Sequence, residues 1–420
     1  MQTNQSARPF DIIVFGATSF VGEILCRHLV ERHGSSGPND SLKWAIAGRS
    51  ADKLASVITS SGADASLTQI VADARNVDEM NSLVTQARVI VSTVGPYALY
   101  GNELVAAAVS AGTDYCDLTG ETQWMRRMID QHHVEAQSTG ARIVHACGFD
   151  SIPSDLGVWF TQQQAIETFG QPCTSIAMRV KAMNGGASGG TLASVMNVMD
   201  EVSDDPSLRK VLANPYALAP AGMRDGVKQV EVLTPKNDAV SGSWVAPFVM
   251  ASVNTRVVHR SHALLGRPWG ADFAYGEAMM TGDGALGAAK AAGVTGGLAG
   301  FMGAAAIGPV RSLLATKVLP QPGEGPSPEQ QEAGFFDLRF FGSTADGHAI
   351  TTRVTGDRDP GYGSTAKMLG EAARVLAASD VAGGFWTPST SMGSALVDAL
   401  TQHAGLEFTV LDPAPAESSR

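Results

Sequence analysis

Near its start the chain joins an apolar run, a turn bounded by glycines and a candidate helix, and this combination restricts the fold most. Residues 11–15 read Asp-Ile-Ile-Val-Phe, and residues 16–22 read Gly-Ala-Thr-Ser-Phe-Val-Gly. After the turn, apolar residues recur at helical spacing at Val21, Ile24, Leu25, Leu29 and Val30. A buried strand that turns tightly into such a helix holds the pyrophosphate of a dinucleotide in Rossmann folds. The segment therefore predicts a dinucleotide-binding βα unit.

The turn offers backbone N–H groups to a phosphate at the positive end of the helix dipole. Gly16 would form the sharp bend, and Gly22 would let the helix approach the sheet closely. Ser19 stands where the usual pattern has its middle glycine, and its hydroxyl can also donate to phosphate. The predicted cofactor contacts here are Gly16, Ala17, Thr18, Ser19, Phe20, Val21 and Gly22. The alternative is that both glycines serve only the turn and the packing.

The end of the second predicted strand indicates which dinucleotide binds. Residues 44–47 are apolar and stop at Gly48-Arg49-Ser50, where an NAD-binding protein usually carries a carboxylate. Arg49 can fork onto a 2′-phosphate and stack on adenine, and Ser50 and Lys53 can add donors. Asp73, after the third strand, either approaches the adenine or caps the next helix. The pattern favours NADPH, against the alternative that Arg49 is only a solvated arginine.

Strands and helices alternate through the first 150 residues, which is typical of a doubly wound parallel sheet. Six strands are predicted at 11–15, 44–47, 67–71, 88–93, 114–118 and 141–146. Later β-like segments are predicted at 175–181, 252–258, 335–341 and 349–355, with helices between them. The fold class expected is α/β, with an N-terminal Rossmann sheet and a second α+β domain whose sheet is mostly antiparallel.

These patterns suggest three parts of the chain. We expect an NADP-binding Rossmann domain over 1–150 and an α+β substrate or oligomerisation domain over 151–380. A C-terminal helix and tail, 381–420, would pack back on the first domain. Thr387-Pro388-Ser389 marks the start of that helix.

Composition excludes several classes of function. The net charge of −11, with no basic run, argues against a nucleic-acid partner. The four cysteines are scattered without a Cys-x-x-Cys pair, which suits a reducing cytoplasm and predicts no metal site of the zinc type. The short polar start lacks the apolar core of a signal peptide. We therefore expect a cytoplasmic protein, with contact at the inner face of the plasma membrane left open.

Residues 291–310 form an uncharged run with six glycines and six alanines. Its length matches a bilayer, but its composition suits a spanning helix poorly. The spacing of small residues also allows close helix packing. The run is consistent with a surface that faces lipid, an acyl chain or another subunit, and we expect a homo-oligomer.

The nicotinamide of a Rossmann enzyme lies beyond the fourth strand, where the strand order reverses. Residues 92–97 read Ser-Thr-Val-Gly-Pro-Tyr, and the expected cofactor contacts among them are Thr93, Val94, Gly95 and Pro96. Tyr97 is the first candidate for a proton donor or oxyanion stabiliser. The alternative is a tyrosine that packs or hydrogen-bonds within the core.

Two further loops should line the same crevice. They carry four acidic candidates for acid or base chemistry, Asp117, Glu121, Asp150 and Asp155, each of which can instead serve the local structure, as a helix cap does. Cys147 has no identified histidine base and is interpreted as a small core residue. His145, within a strand, is interpreted as a satisfied core histidine.

Five motifs together resemble the saccharopine dehydrogenase-like family and, within it, the mycobacterial trans-acting enoyl reductases. They are Gly-Ala-Thr-Ser-Phe-Val-Gly at 16–22, Ala-Gly-Arg at 47–49, Val-Gly-Pro-Tyr at 94–97, Asp-Leu-Thr-Gly-Glu at 117–121 and Cys-Gly-Phe-Asp-Ser-Ile-Pro-Ser-Asp-Leu at 147–156. The last run is the most specific, and the likeness covers nearly the whole chain.

The resemblance implies NADPH-dependent reduction of a carbon–carbon double bond in a polyketide or fatty acyl thioester. The enzyme would act in trans on a carrier-bound chain of a polyketide synthase, for phthiocerol- and phenolphthiocerol-type envelope lipids. It implies no secure catalytic residue. Two alternatives remain, a saccharopine-type amino-acid reductase and an NADP-binding scaffold on membranes or lipid droplets.

Overall fold

The computed structural model describes residues 8–35, 42–185, 189–313 and 325–414. The strands are β1 (Phe10–Phe15), β2 (Trp44–Gly48), β3 (Gln69–Val71), β4 (Ala87–Ser92), β5 (Asp114–Asp117), β6 (Arg142–Val144), β7 (Cys173–Asn184), β8 (Lys236–Asp238), β9 (Ser243–Ala246), β10 (Ala274–Gly282), β11 (Phe335–Thr344), β12 (Ala349–Gly356), β13 (Gly384–Trp386) and β14 (Leu406–Ala414).

The helices are α1 (Phe20–His33), α2 (Ala51–Ser61), α3 (Val77–Val84), α4 (Tyr97–Tyr100), α5 (Asn102–Ser110), α6 (Thr122–Thr139), α7 (Ile152–Phe169), α8 (Gly189–Asp204), α9 (Leu208–Ala213), α10 (Ala251–Leu264), α11 (Gly284–Ala306), α12 (Gly308–Leu313), α13 (Pro328–Glu332), α14 (Thr365–Ala378) and α15 (Pro388–His403). A π-helical turn, Pro360–Ser364, precedes α14.

The first sheet is a parallel Rossmann sheet. Within the described residues its order is β3-β2-β1-β4-β5-β6-β13, and every neighbouring pair is parallel. The strand order reverses between β1 and β4, where such sheets bind ligands at their carboxyl ends. Ile12, Ile13 and Val14 in β1 have no exposed surface, as expected of a strand covered on both faces. The predicted α/β fold is confirmed.

The C-terminal part of the chain contributes to both sheets. β13 adds an edge strand beside β6, α14 packs against α1, β4 and β5, and β14 pairs with β12. The predicted helix after Thr387 is α15, which packs on α14 and α7. The division at residues 150 and 380 stays a prediction, and residues 415–420 of the predicted tail lie outside the described ranges.

The second sheet has the order β14-β12-β11-β7-β10-β9-β8. Its pairs are antiparallel except for β7 with β10, so the expectation of a mostly antiparallel sheet is confirmed. α7 packs on β7, β11 and β12 of this sheet and also contacts α10 and α15. Because α7 begins directly after the loop that follows β6, it connects the cofactor sheet to the second sheet.

The strand predicted at 252–258 is wrong, because these residues lie in helix α10. Val253, Val257 and Val258 are buried, and α10 is buried on nearly every side from residue 253 to 263. A helix covered all round has no exposed face, and its buried positions include polar residues such as Asn254 and Arg256, so its apolar periodicity is weak. Its β-branched residues then favour a strand locally, and tertiary packing overrides that preference.

Residues 284–306 form the helix α11, which contains most of the Gly/Ala run. Only Gly287, Ala291 and Ala305 in it are buried, while Leu286 is 67% and Met302 is 44% exposed. A Cβ added at Gly293 would meet no atom within 4 Å. Across the described part of the chain, no helix combines the length and the hydropathy needed to cross a membrane. The surface that α11 contacts stays a prediction.

Candidate cofactor and active site

The turn after β1 brings the backbone of α1 against the end of the strand. Gly16 has φ +89°, a left-handed conformation that favours glycine. A Cβ on Gly22 would lie 2.3 Å from the carbonyl oxygen of Gly16, so only glycine fits at this approach. These are the two positions at which the sequence pattern required glycine for the turn and for helix packing.

Ser19 completes the turn through a chain of hydrogen bonds. Its Oγ accepts from the N–H of Gly22 at 3.0 Å and donates to Oγ1 of Thr93 at 2.9 Å. Thr93 in turn donates to the carbonyl of Gly16 at 2.8 Å. Ser19 is thus the N-cap of α1, and its hydroxyl proton faces Thr93 rather than the phosphate position expected for it. The serine at the middle glycine position joins the first loop to the loop after β4.

The turn still offers free donors to a pyrophosphate. Within the described ranges the N–H groups of Thr18, Phe20 and Val21 donate to no protein acceptor, and they stand at the N-terminus of the 14-residue α1. Ala17 and Val21 are buried, and the Phe20 ring packs edge-on against Tyr362 with ring centroids 5.1 Å apart. Unpaired donors at the positive end of a helix fit an anion. The residues present therefore fit a dinucleotide.

The ends of β2 and β3 supply cationic side chains. Arg49 is exposed directly after β2, and Ser50 caps α2 by accepting from the N–H of Lys53 at 3.4 Å. Asp73, after β3, pairs with Arg75 at 2.9 Å, and the hydrogen bonds from Arg75 lower the pKa of that carboxyl to about 2. Arg75 was missed from the sequence, although it lies four residues beyond the strand predicted at 67–71. With Arg49 it gives this edge two guanidinium groups.

Tyr97 does not face a crevice. Its side chain is 3% exposed, its hydroxyl donates to the carbonyl of Ser92 at 2.9 Å, and it accepts from the N–H of Leu118 at 3.4 Å. Burial raises the pKa of the phenol well above its usual range. Both hydrogen-bonding partners are backbone groups that tie the end of β4 to the loop after β5. The geometry favours the packing interpretation over a proton donor, since the hydroxyl has no free access to substrate.

Glu121 holds three elements together at the same edge. Its carboxylate accepts from the N–H groups of Tyr97 and Ala98 at 2.8 and 2.9 Å, at the start of α4, and from Oγ of Ser194 at 2.8 Å. Burial raises the pKa of this carboxyl against the effect of those bonds. Ser194 lies on α8, and a Cβ on Gly95 would lie 3.7 Å from its Oγ. α8 therefore crosses close to the position expected for the nicotinamide.

Asp117 fixes the loop after β6. One carboxylate oxygen accepts from the N–H groups of Thr119 and Ala146, and the other lies 2.7 Å from Nδ1 of His145. His145 lies against the rings of Tyr115, Trp124 and Phe385, which supports its interpretation as a core residue. Asp117 is fully buried. The pair is therefore part of the loop structure.

Asp155 and Cys147 also have structural partners. The Asp155 carboxylate accepts from Oγ of Ser261 and, at 2.8 Å, from the N–H of Ser389 in the first turn of α15. It thus caps a different helix from the one that carries it. Cys147 is fully buried, and burial raises the pKa of its thiol well above the usual range, which makes it a poor nucleophile.

The stability of the protein should depend on the protonation of Asp155. Burial raises the pKa of its carboxyl from 3.8 to about 6. The folded protein then binds this proton more tightly than the unfolded chain. The contribution of Asp155 to the free energy of unfolding is therefore lost as pH rises from about 4 to about 6. The wild type should therefore lose on the order of 1–3 kcal/mol of unfolding free energy over this range, and Asp155→Asn should not show that loss. Urea unfolding of both proteins at about pH 4 and about pH 7.5 checks this; equal pH slopes would contradict it.

Asp150 differs from the other three acidic candidates. It follows β6, the residue as a whole is partly exposed, and burial of its carboxyl raises the pKa to about 7, with a smaller contribution from the charge of Asp117. Among the predicted site residues, the structure therefore brings the 16–22 turn, residues 92–97 and Asp150 to one edge. Arg49, Ser50, Lys53 and Asp73 lie at the ends of β2 and β3 of the same sheet.

Known proteins resemble this chain over nearly its full length. Residues 12–144 match the family described as saccharopine dehydrogenase NADP binding domain. A protein of Mycobacterium tuberculosis (strain ATCC 25618 / H37Rv), whose name gives trans-acting enoyl reductase as a provisional assignment, is 40% identical over 94% of this chain and 96% of its own. A trans-acting enoyl reductase of Mycobacterium ulcerans (strain Agy99) is 36% identical over 95% of this chain and 97% of its own.

Among solved structures, the apo saccharopine dehydrogenase (L-Glu forming) of Saccharomyces cerevisiae has a TM-score of 0.53, over 96% of this chain and all of that chain. At 12% identity this similarity shows the fold alone. The sequence relatives show the family as well as the fold, because they combine 36–40% identity with nearly complete coverage of both chains. The chain belongs to the saccharopine dehydrogenase-like family, with the trans-acting enoyl reductases as its relatives and an NADP-binding Rossmann domain at its start.

Proposed function

We propose that the protein uses NADPH to reduce the carbon–carbon double bond of an α,β-unsaturated acyl thioester. The substrate would be a polyketide or fatty acyl chain carried by a synthase that lacks this reductase, and the enzyme would act on it in trans. When bound, the cofactor supplies the hydride. The turn of α1 would bind its pyrophosphate through free N–H groups, and Arg49 its 2′-phosphate.

The observation that carries this choice of substrate is the state of five arginines between residues 179 and 260. An amino-acid reductase acting on a dicarboxylate needs guanidinium groups that converge on the crevice. Instead, Arg179 is bonded to Asp238, Arg256 to Glu231 and Arg224 to Asp130. Arg260 donates to the carbonyls of Leu218 and Phe385, and Arg209 is exposed on α9. Four of these five guanidinium groups are therefore already bound by protein groups, which leaves no converging set for a dicarboxylate.

α8, which crosses close to the expected nicotinamide position, also carries apolar side chains. Next to Ser194, α8 carries Val195, Met196 and Val198, which are half-buried or buried. Apolar side chains beside the nicotinamide position suit an acyl chain. The names of the relatives support action in trans on a synthase-bound chain. Phthiocerol- and phenolphthiocerol-type envelope lipids are the product class that we propose.

The test is NADPH oxidation by the purified protein with an α,β-unsaturated acyl thioester, presented both as a small thioester and on a carrier protein. We expect turnover that prefers NADPH to NADH and the carrier-bound substrate to the free one. A parallel assay with glutamate and a semialdehyde tests the amino-acid alternative. Tight NADPH binding without turnover of any enoyl thioester would reject the reaction while keeping the cofactor assignment, and would favour the scaffold.

We further propose that the exposed α11 contacts a membrane surface or a second copy of this chain. In a flotation assay, wild-type protein should rise with liposomes if α11 binds membranes. If α11 binds a second copy, light scattering should give the mass of a homo-oligomer. Met302→Glu should weaken whichever association occurs. Met302 is 44% exposed, so the charge should leave the fold intact. A monomer that ignores liposomes would reject both contacts.

A further inference from the structure

Four acidic side chains lie at or just beyond the ends of β5 and β6, and three of them are committed to the fold. Asp117, Glu121 and Asp155 are each at most 1% exposed, and both carboxylate oxygens of each accept bonds from protein groups. Asp150 is partly exposed, and in the described ranges its carboxylate bonds only to its own backbone N–H.

The carboxylate of Asp150 lies beside two glycines at the ends of β5 and β6. Its Oδ1 is 3.6 Å from the position of a Cβ on Gly120, after β5, and its Oδ2 is 3.4 Å from that on Gly148, after β6. The loop that carries Asp150 is fixed, because the N–H of Phe149 donates to Oγ1 of Thr365 at 2.9 Å. A carboxyl is thus held at the edge where the nicotinamide and the substrate should meet.

We propose that Asp150 is the proton donor of the reaction, an inference that rests on the proposed function. Hydride addition to the β-carbon moves the electron pair of the double bond toward the thioester carbonyl and leaves an enolate. The Asp150 carboxylic acid then gives its proton to the α-carbon, where the new C–H bond forms as the O–H bond breaks. Asp150 becomes a carboxylate, and a proton from solvent restores the acid before the next turnover.

The surroundings of Asp150 suit an acid that works near neutral pH. Burial raises the pKa of its carboxyl to about 7, and the titratable groups facing it are Asp117 after β5 and Tyr97 on α4. α10 and α14 bring the uncharged Val253 and Thr365 beside Gly120 and Gly148. Since the protonated form is the active one, kcat should fall as pH rises through about 7.

The test compares Asp150→Asn and Asp150→Glu with wild type, and with Asp398→Asn as a control at an exposed site on α15. We expect Asp150→Asn to lower kcat by about 10²–10³-fold, to leave NADPH affinity unchanged, and to lose the decline of kcat near pH 7. Asp150→Glu should restore part of the rate. In D₂O the wild type should place α-deuterium on one face, and Asp150→Asn on both faces, because solvent then protonates the enolate.

The outcomes separate the two proposals. If wild type reduces enoyl thioesters and Asp150→Asn keeps its rate, pH profile and single-faced deuteration, Asp150 is not the donor and the reaction stands. A variant that loses rate but keeps the pH profile and the single-faced deuteration has lost only positioning, which also overturns the assignment. If wild type reduces no enoyl thioester, the proposed function fails, and the role of Asp150 falls with it.

Discussion

Replacing Gly22 with alanine is expected to abolish measurable NADPH binding and to destabilise the protein by about 3 kcal/mol. The added Cβ would lie 2.3 Å from the carbonyl oxygen of Gly16 and 2.9 Å from the backbone of Ala17. All the atoms it meets are backbone, so α1 must move away from β1 and take its free N–H groups with it. NADPH fluorescence titration and urea unfolding measure the two losses.

The matched control is Gly293→Ala in α11, where the same methyl group would meet no atom within 4 Å. Alanine is the better helix former, so this variant should be as stable as wild type or more stable by up to about 1 kcal/mol. Its NADPH affinity should not change. Wild-type cofactor affinity in Gly22→Ala would contradict the close approach of α1 to the turn.

The sequence predicted the first sheet well because parallel strands buried on both faces read as short apolar runs. β1 and β4 are such runs, and their places were found within one or two residues. β13 was missed, since Phe385 and Trp386 stand between a glycine pair and Thr387-Pro388, with no longer apolar run to mark a strand. α10 was misread as a strand because it is buried all round and rich in β-branched residues.

The site was predicted only in part, because a sequence pattern shows local roles but not partners that are distant in the chain. The glycines of the first turn have local roles that a spacing pattern can show. The partners of acidic residues are distant in the chain: Ser194 is 73 residues from Glu121, and Ser389 is 234 residues from Asp155. No local pattern indicates which carboxylates the fold will use as caps. Asp150 could therefore be set apart from the other three only once those partners were placed.

Removing the guanidinium of Arg49 should change the preference between cofactors more than any other single surface substitution. Arg49 follows β2 and is exposed, and no carboxylate stands at that strand end to bind the ribose hydroxyls of NADH. Charge-assisted hydrogen bonds contribute about 1.5–3 kcal/mol each. Arg49→Ala should therefore raise the Kd for NADPH by about 10–100-fold and leave that for NADH within about twofold.

Three companion variants make the Arg49 result specific. Arg49→Lys should keep part of the affinity, because lysine retains the charge but not the bidentate fork. Arg75→Ala should have a smaller effect than Arg49→Ala, since Asp73 already binds the Arg75 guanidinium at 2.9 Å. Arg209→Ala, on the exposed face of α9, should bind both cofactors as wild type does. Equal losses for NADPH and NADH in Arg49→Ala would show that Arg49 contacts a part common to both, such as the adenine, and that selectivity for the 2′-phosphate comes from elsewhere.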